Sequence, residues 1–293
     1  MWQQENGVKA DIQHFYHGGS GTFSYVVSDP ATRAAVVIDS VLDFSVVSGR
    51  TDSAPADAII SFVEEKGLAV EWILETHAHA DHLSAAQILK DRLGGKVAAG
   101  RGIREVQAHF GPLFNLGDSL STDGSEFDHL FTDNEVFDIG KLRCTVLHTP
   151  GHTNDSVSYV IGNAAFVGDT VFMTDFGTAR CDFPGGDAGL LYDSIQKLFA
   201  LPDDTMIYLC HDYPPVEREL RYATPLTEQR DANIHVSRGV SRDSFVAMRE
   251  ARDASLSLPA LIIPSIQVNI RAGRLPPVEE NKICYIKIPV DTL

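Results

Sequence analysis

The chain has 293 residues, enough for one large domain or two modest ones around a substantial buried core. A hydrophobic fraction of 44% and a charged fraction of 22% are ordinary for a soluble globular protein. Lys+Arg 24 against Asp+Glu 40 gives a net charge of −16 with no polybasic block. That balance argues against a nucleic-acid or anionic-membrane surface, since neither would be attracted electrostatically.

The first readable elements are two β-branched runs in "FSYVVSDPATRAAVVIDSV" around the turn "SDPATR", a β-hairpin. "SAPADAIISFVEEKG" then places Ser and Pro before apolar Ile59, Ile60, Phe62 and Val63 and stops at Gly67, a helix with start and stop signals. "VEWILE" is a short apolar strand, "DHLSAAQILKDRLGG" a second helix and "KVAAG" a second strand, so helix packs on sheet. Two further hairpins follow, turning near "IGK" and "IGN". "DAGLLYDSIQKLFALP" is an amphipathic helix and "TMIYLCHDY" another buried strand. "LTEQRDANIHV" is helix-compatible and "DSFVAMREARDA" a short helix, whereas "LPALIIPSIQVNIRAGRLPP", with four prolines, is expected to be extended or looping. The series predicts an α/β sandwich with helices outside two sheets. No apolar run reaches the roughly 20 residues that cross a bilayer, and the N-terminal "MWQQENGVKADIQ" is too polar for a signal-peptide core. Cys144, Cys181, Cys210 and Cys284 form no C-x-x-C pair, which makes a reducing cytoplasm the expected compartment.

The chemistry concentrates in "ILETHAHADHLSAAQ". Neutral imidazoles and carboxylates are good donors to zinc, iron or manganese. His77 and His79 have the spacing to converge on one point, while Asp81 and His82, placed at the start of the next helix, can face a second. A helix cap by Asp81 alone is a sensible alternative, but a cap needs one short polar residue, not three histidines. A catalytic metal usually takes at least three protein ligands, and more candidates stand at other strand ends: His152 in "TPGHT", Asp169 in "VGDTV" and His211 in "LCHDY". His14, His17, His109, His129 and His235 are expected to be ordinary surface or core residues, and His148 structural.

"THAHADH", "TPGHT", "GDT" and "HDY", in that order, resemble the metallo-β-lactamase superfamily over roughly residues 15–235. The resemblance implies a four-layer αββα sandwich with a metal site at the edge of the two sheets. It places His77, His79 and His152 at one metal position and Asp81, His82 and His211 at another, with Asp169 between them. The chain is read as one domain, a core of about 12–222 and a C-terminal extension of about 223–293 to which no role is given. Longer stretches, such as "TPGHTNDSVSYVIGNAAFVGDTVF" and "GTARCDFPGGDAGLLYDSIQKLFALPDDTMIYLCHDY", are similar to the persulfide dioxygenase group, itself akin to glyoxalase II. That narrower resemblance implies one Fe(2+) per chain on His77, His152 and Asp169, a set that leaves positions open for O2 chemistry. His79, Asp81, His82 and His211 would then orient ligands or substrate.

The resemblance further implies Asp81, His211 and Tyr213 as catalytic groups and Arg180, Cys181 and Tyr213 at the substrate entrance. Where the group tends to carry threonine, this chain has Cys181, read as an inert loop thiol rather than a reactive one. Arg180 has the fork to hold a carboxylate, the alternative being a surface salt bridge. Two reactions use the same residues: oxidation of a glutathione-type persulfide to sulfite, or hydrolysis of an acylglutathione-type thioester on two Zn(2+). A non-catalytic metal scaffold is disfavoured by the complete ligand set. The expected partners are a small thiol persulfide or thioester, with no nucleic acid and no membrane, in a possible homodimer.

Overall fold

The computed structural model describes residues 9–292; the first eight residues of the polar N-terminal stretch lie outside it. In chain order, the first strands are β1 (Asp11–His17), β2 (Thr22–Ser28), β3 (Ala34–Ile38), β4 (Val41–Ser45) and β5 (Arg50–Asp52). Helix α1 (Ala54–Lys66), strands β6 (Ala69–Leu74) and β7 (Leu83–Ser84), and helix α2 (Ala86–Leu93) follow. Next are β8 (Lys96–Gly100), α3 (Ile103–Leu113), β9 (His129–Phe131), β10 (Val136–Ile139), β11 (Leu142–His148), β12 (Val157–Ile161) and β13 (Ala164–Phe166). The chain closes with α4 (Ala188–Phe199), β14 (Met206–Tyr208), β15 (Ala223–Pro225), α5 (Leu226–Ala232), α6 (Arg242–Asp253) and α7 (Ile262–Asn269).

Two six-stranded sheets, ordered β1-β2-β3-β6-β8-β9 and β10-β11-β12-β13-β14-β15, lie face to face, with a small sheet β5-β4-β7 beside them. Side chains alternate across a strand, so each central strand feeds two cores. Phe23, Tyr25, Val27, Val36 and Ile38 meet Val146, Tyr159 and Phe166 between the sheets. Val26, Ala35 and Val37 face outward onto Ile59, Ile60 and Val63 of α1, Leu89 of α2, Phe110 of α3 and Ile266 of α7. On the opposite outer face, Val160, Ala165 and Ile207 pack on Leu191 and Ile195 of α4, Leu226 of α5 and Phe245 of α6. Three apolar layers between helix, sheet, sheet and helix make the αββα sandwich expected from the sequence.

The hairpins β2–β3, β10–β11 and β12–β13 pair antiparallel as expected. Helix α1 ends at Gly67, left-handed at φ 60 and bonded back to Glu64 and Val63, as a C-terminal glycine should be. Two expectations need correction. The second helix starts at Ala86, not at Asp81, because Leu83 and Ser84 first pair with Leu42 and Val41 as β7. The proline-rich segment is helical over Ile262–Asn269, with seven of its eight residues buried. Pro264 is the third residue of α7, inside the first turn, where N–H groups have no intrahelical partner and a proline costs little. Among the described residues no helix is long and apolar enough to cross a membrane.

Candidate metal centre

The functional side chains converge at one edge of the sandwich, beyond the C-terminal ends of strands. His77, His79, Asp81 and His82 lie between β6 and β7, His152 follows β11, Asp169 follows β13 and His211 follows β14. Strand β6 runs parallel to β3 and β8, and β13 parallel to β14, so several strands end together and their loops meet. Gly168 allows one close approach. At φ +52, a Cβ on it would stand 2.6 Å from Thr76 Oγ1 beside the histidine turn. Gly151 (φ +137) lets the His152 loop sit on the start of α4, where a Cβ would stand 2.3 Å from the Leu191 nitrogen.

The imidazoles are buried and held by one nitrogen each. His77 Nδ1 contacts Thr76 Oγ1 at 3.0 Å, and His152 Nδ1 donates to the Arg180 carbonyl at 2.7 Å. His79 Nε2 lies 3.0 Å from Asp39 Oδ1 and 3.6 Å from Glu75 Oε2. His82 Nδ1 is 3.2 Å from Asp81 Oδ2, while His211 Nε2 is 3.3 Å from Asp169 and 3.6 Å from Asp81. Left over, buried and without hydrogen bonds, are His77 Nε2, His79 Nδ1, His82 Nε2 and Asp169 Oδ1. Orphaned buried polar atoms are costly unless something binds them, and these are good metal donors. The fit to a cation is therefore good. His77, His152 and Asp169 offer ligand atoms all within 4.8 Å of one another, and so do His79, Asp81 and His82.

The charges point the same way. Burial raises the carboxyls of Asp81 and Asp169, yet His82 and His211 around the first, and His211, His77 and His152 around the second, hold both below the usual carboxylate range. Burial opposes charge on His79, but Asp39 and Glu75 raise it to about 10; burial likewise opposes charge on His211, and Asp169 and Asp81 raise it to about 9. The cluster demands positive charge, which protons supply here and a divalent cation can supply as well. Burial and the neighbouring His79 push His77 well down, keeping it a neutral donor.

The entrance residues behave unevenly. Tyr213 stacks on His211, centroids 5.7 Å apart, and remains 42% exposed. The Arg180 fork is already taken: Nε and Nη2 donate to Asp182 at 2.5 and 2.6 Å, and Nη1 to the Ser257 carbonyl. Its backbone carbonyl also holds His152 Nδ1 at 2.7 Å. The Cys181 thiol is buried, and burial next to Asp253 pushes it far up, so it is held as an inert thiol. Of the histidines set aside, His148 Nε2 bonds the Asn154 carbonyl at 3.0 Å. His17 links Asp43 to Ser20, and Ser20 leads through Thr22 to Asp81.

Sequence reasoning missed Asp39, Glu75 and Asn269. Asp39 and Glu75 obey the same rule that singled out Asp169, a carboxylate just past a buried strand. Asn269 carried no local signal at all.

With this geometry in hand, comparison with known proteins is specific. The profile of the metallo-beta-lactamase superfamily matches residues 14–211. A probable metallo-hydrolase of Burkholderia pseudomallei is 49% identical over 292 residues, 96% of this chain and 99% of its own length. Glyoxylase B2 of Dictyostelium discoideum is 50% identical over 287 residues, covering 97% and 98%. The mitochondrial persulfide dioxygenase ETHE1 of Homo sapiens is 28% identical over 271 residues, covering 92% and 91%. Among solved structures, ETHE1 from Myxococcus xanthus superposes with a TM-score of 0.72 at 30% identity, over 90% of this chain and 100% of its own.

Proposed function

Because the chain belongs to the metallo-β-lactamase superfamily, whose members bind metal, we propose that it is a non-haem iron persulfide dioxygenase. It would oxidise a thiol-bound, glutathione-type persulfide with O2 to sulfite. One Fe(2+) per chain would be held by His77, His152 and Asp169. The observation that carries this reading is the mutual closeness of those three donors, within 4.8 Å. Two imidazoles and one carboxylate form the set associated with open-sited Fe(II) oxygenases. The persulfide dioxygenase relative supports the same reading.

Iron held by His77, His152 and Asp169 would supply the redox chemistry of the reaction between persulfide and O2. Every other contribution is the protein's. His152 is fixed by its Nδ1 bond to the Arg180 carbonyl, which leaves Nε2 to bind. His79 is turned by Asp39 and Glu75 through Nε2; in the one-iron reading it supports the centre, and its free Nδ1 is the donor that a second metal would use. The reaction consumes one persulfide, one O2 and one water and returns thiol, sulfite and two protons. Asp81, within 3.6 Å of His211 and 3.2 Å of His82, is the group placed to pass those protons on. Tyr213, stacked on His211 and exposed, faces the thiol carrier. The chain is read as one domain, residues 12–222 with an extension of 223–293; the packing of Ile262 and Ile266 into the helix-covered core of the first sheet supports that.

One observation favours a second reading. His79, Asp81 and His82 form a further donor group, and the Glyoxylase B2 relative is 50% identical. With two Zn(2+) the same edge would cleave a thioester. Metal analysis of protein made in iron-rich medium, followed by O2 uptake with glutathione persulfide, separates the two. One iron per chain and persulfide-dependent O2 uptake are expected. Two zinc ions, no uptake and rapid cleavage of an acylglutathione would replace the first reading by the second.

A further inference from the structure

The loop from His79 to His82 lies between β6 and β7, outside any strand ladder, so its buried backbone groups must find partners elsewhere. Two of them, together with the amide of Ser84 in β7, find the same side chain. Asn269, the last residue of α7, is 5% exposed. Its Nδ2 donates to the carbonyls of His79 at 2.8 Å and His82 at 2.9 Å, and its Oδ1 accepts from the Ser84 amide at 2.8 Å. A primary amide has two donors and one carbonyl, and all are used on this one turn. Aspartate has no donor to offer, and glutamine would stand a methylene too far. The helix end that carries Asn269 is itself anchored: Gln107 Nε2 donates to the Ile270 carbonyl and Gln87 Nε2 to the Ala272 carbonyl, both at 2.8 Å. Asn269 reaches back 190 residues to His79, from outside residues 14–211 matched by the superfamily profile.

We propose that Asn269 is a positioning residue for the metal centre, and that the C-terminal segment thereby completes it. By bracketing Asp81 between two fixed carbonyls, Asn269 sets where the imidazoles of His79 and His82 and the carboxylate of Asp81 point. Its effect rests on the metal-centre reading and holds for either reaction: in a two-metal hydrolase it places ligands, and in a one-iron oxygenase it places the groups that support them. Partners that orient donors from behind are commonly worth about 10- to 100-fold in metal affinity.

The test uses the metal-free full chain titrated with Co(2+) against a competing chelator, with its visible spectrum recorded. Asn269→Asp and Asn269→Ala are expected to bind Co(2+) about 10- to 100-fold more weakly, with an altered spectrum. Lys287→Met, which gives up the bond from the C-terminal segment to the Asn115 carbonyl without touching the turn or the helix end that carries Asn269, should bind like the parent. Unchanged Co(2+) affinity in both Asn269 variants would overturn the proposal, and so would an equal loss in Lys287→Met. Should the Asn269 variants not fold, hydrogen exchange on the parent decides: Co(2+) is expected to slow exchange at residues 268–273 together with residues 79–84. Unaltered exchange at 268–273 would overturn the clamp. A parent chain that binds no Co(2+) would instead overturn the metal-centre reading itself.

Discussion

Asp39 occupies the left-handed region at φ 52, a conformation that Asp and Asn tolerate better than most residues. Its carboxylate takes the Thr76 amide at 2.7 Å, the Thr76 hydroxyl at 2.8 Å and His79 Nε2 at 3.0 Å, and so fixes the start of the histidine turn. Asp39→Asn keeps shape and backbone preference but removes the charge behind His79. Metal affinity should fall by about 10- to 100-fold, measured by chelator competition; parental affinity would deny Asp39 this role. A second prediction concerns His235, whose Nδ1 accepts the Thr178 amide at 3.0 Å. Burial, with Arg249 and Arg252 nearby, lowers it from 6.5 to about 4. Between those values the unfolded chain binds a proton that the folded chain refuses, so stability is full above 6.5 and declines as pH falls toward 4. Urea midpoints should drop across that window in the parent and drop less in His235→Asn, whose amide oxygen still accepts from Thr178. Equal slopes would show that His235 carries none of the acid sensitivity. At this scale the donors were legible because each is a polar residue closing an apolar run. Their partners were not, since a hydrogen bond between Asn269 or Asp39 and the histidine turn depends on packing between segments remote in sequence.

The elements were largely legible where one local signal dominated: turn residues between β-branched runs in the hairpins, Gly67 after α1, and the amphipathic pattern of α4. They failed where tertiary pairing or position within a helix decided. Leu83 and Ser84 read as helix but pair with β4, and Pro264 reads as a breaker though it stands in the first turn of α7. Helix α6 supplies a prediction of its own. Arg249, 1% exposed, is bound by Nε and Nη2 to Asp253 Oδ1 at 3.0 and 2.6 Å and by Nη1 to the Thr178 carbonyl. Asp253 also accepts the Cys181 amide at 2.8 Å, so this pair ties α6 to the loop bearing Arg180. Removing one partner of a buried ion pair strands the other, typically at about 3–5 kcal/mol. Asp253→Ala should lose stability on that order in urea unfolding, while Arg242→Ala, on the exposed face of α6 and paired with Asp193, should lose far less, since solvent screens an exposed pair. Similar losses in both would show that the buried pair is not a special tie.

For the molecule as a whole, the sandwich brings donors from residues 77 to 211 into one cluster whose carboxylates raise His79 and His211, an environment that favours positive charge. A cation that binds only the folded chain adds about 2.7 kcal/mol when it stands at a hundred times its dissociation constant. The melting temperature should therefore climb with metal concentration and fall on chelation. A melting curve indifferent to both would speak against a metal centre in the native fold. The superfamily match was legible because its motifs are short and ordered; the C-terminal helix was not, because its role is visible only once it lies against residues met near the start. That arrangement also has a calendar. As the chain leaves the ribosome, all seven candidate donors emerge before Asn269 does, and the clamp arrives only when the last helix has been made. A nascent chain thus exposes the histidines before Asn269 can bracket them, so the proposed clamp can act only once α7 has been made.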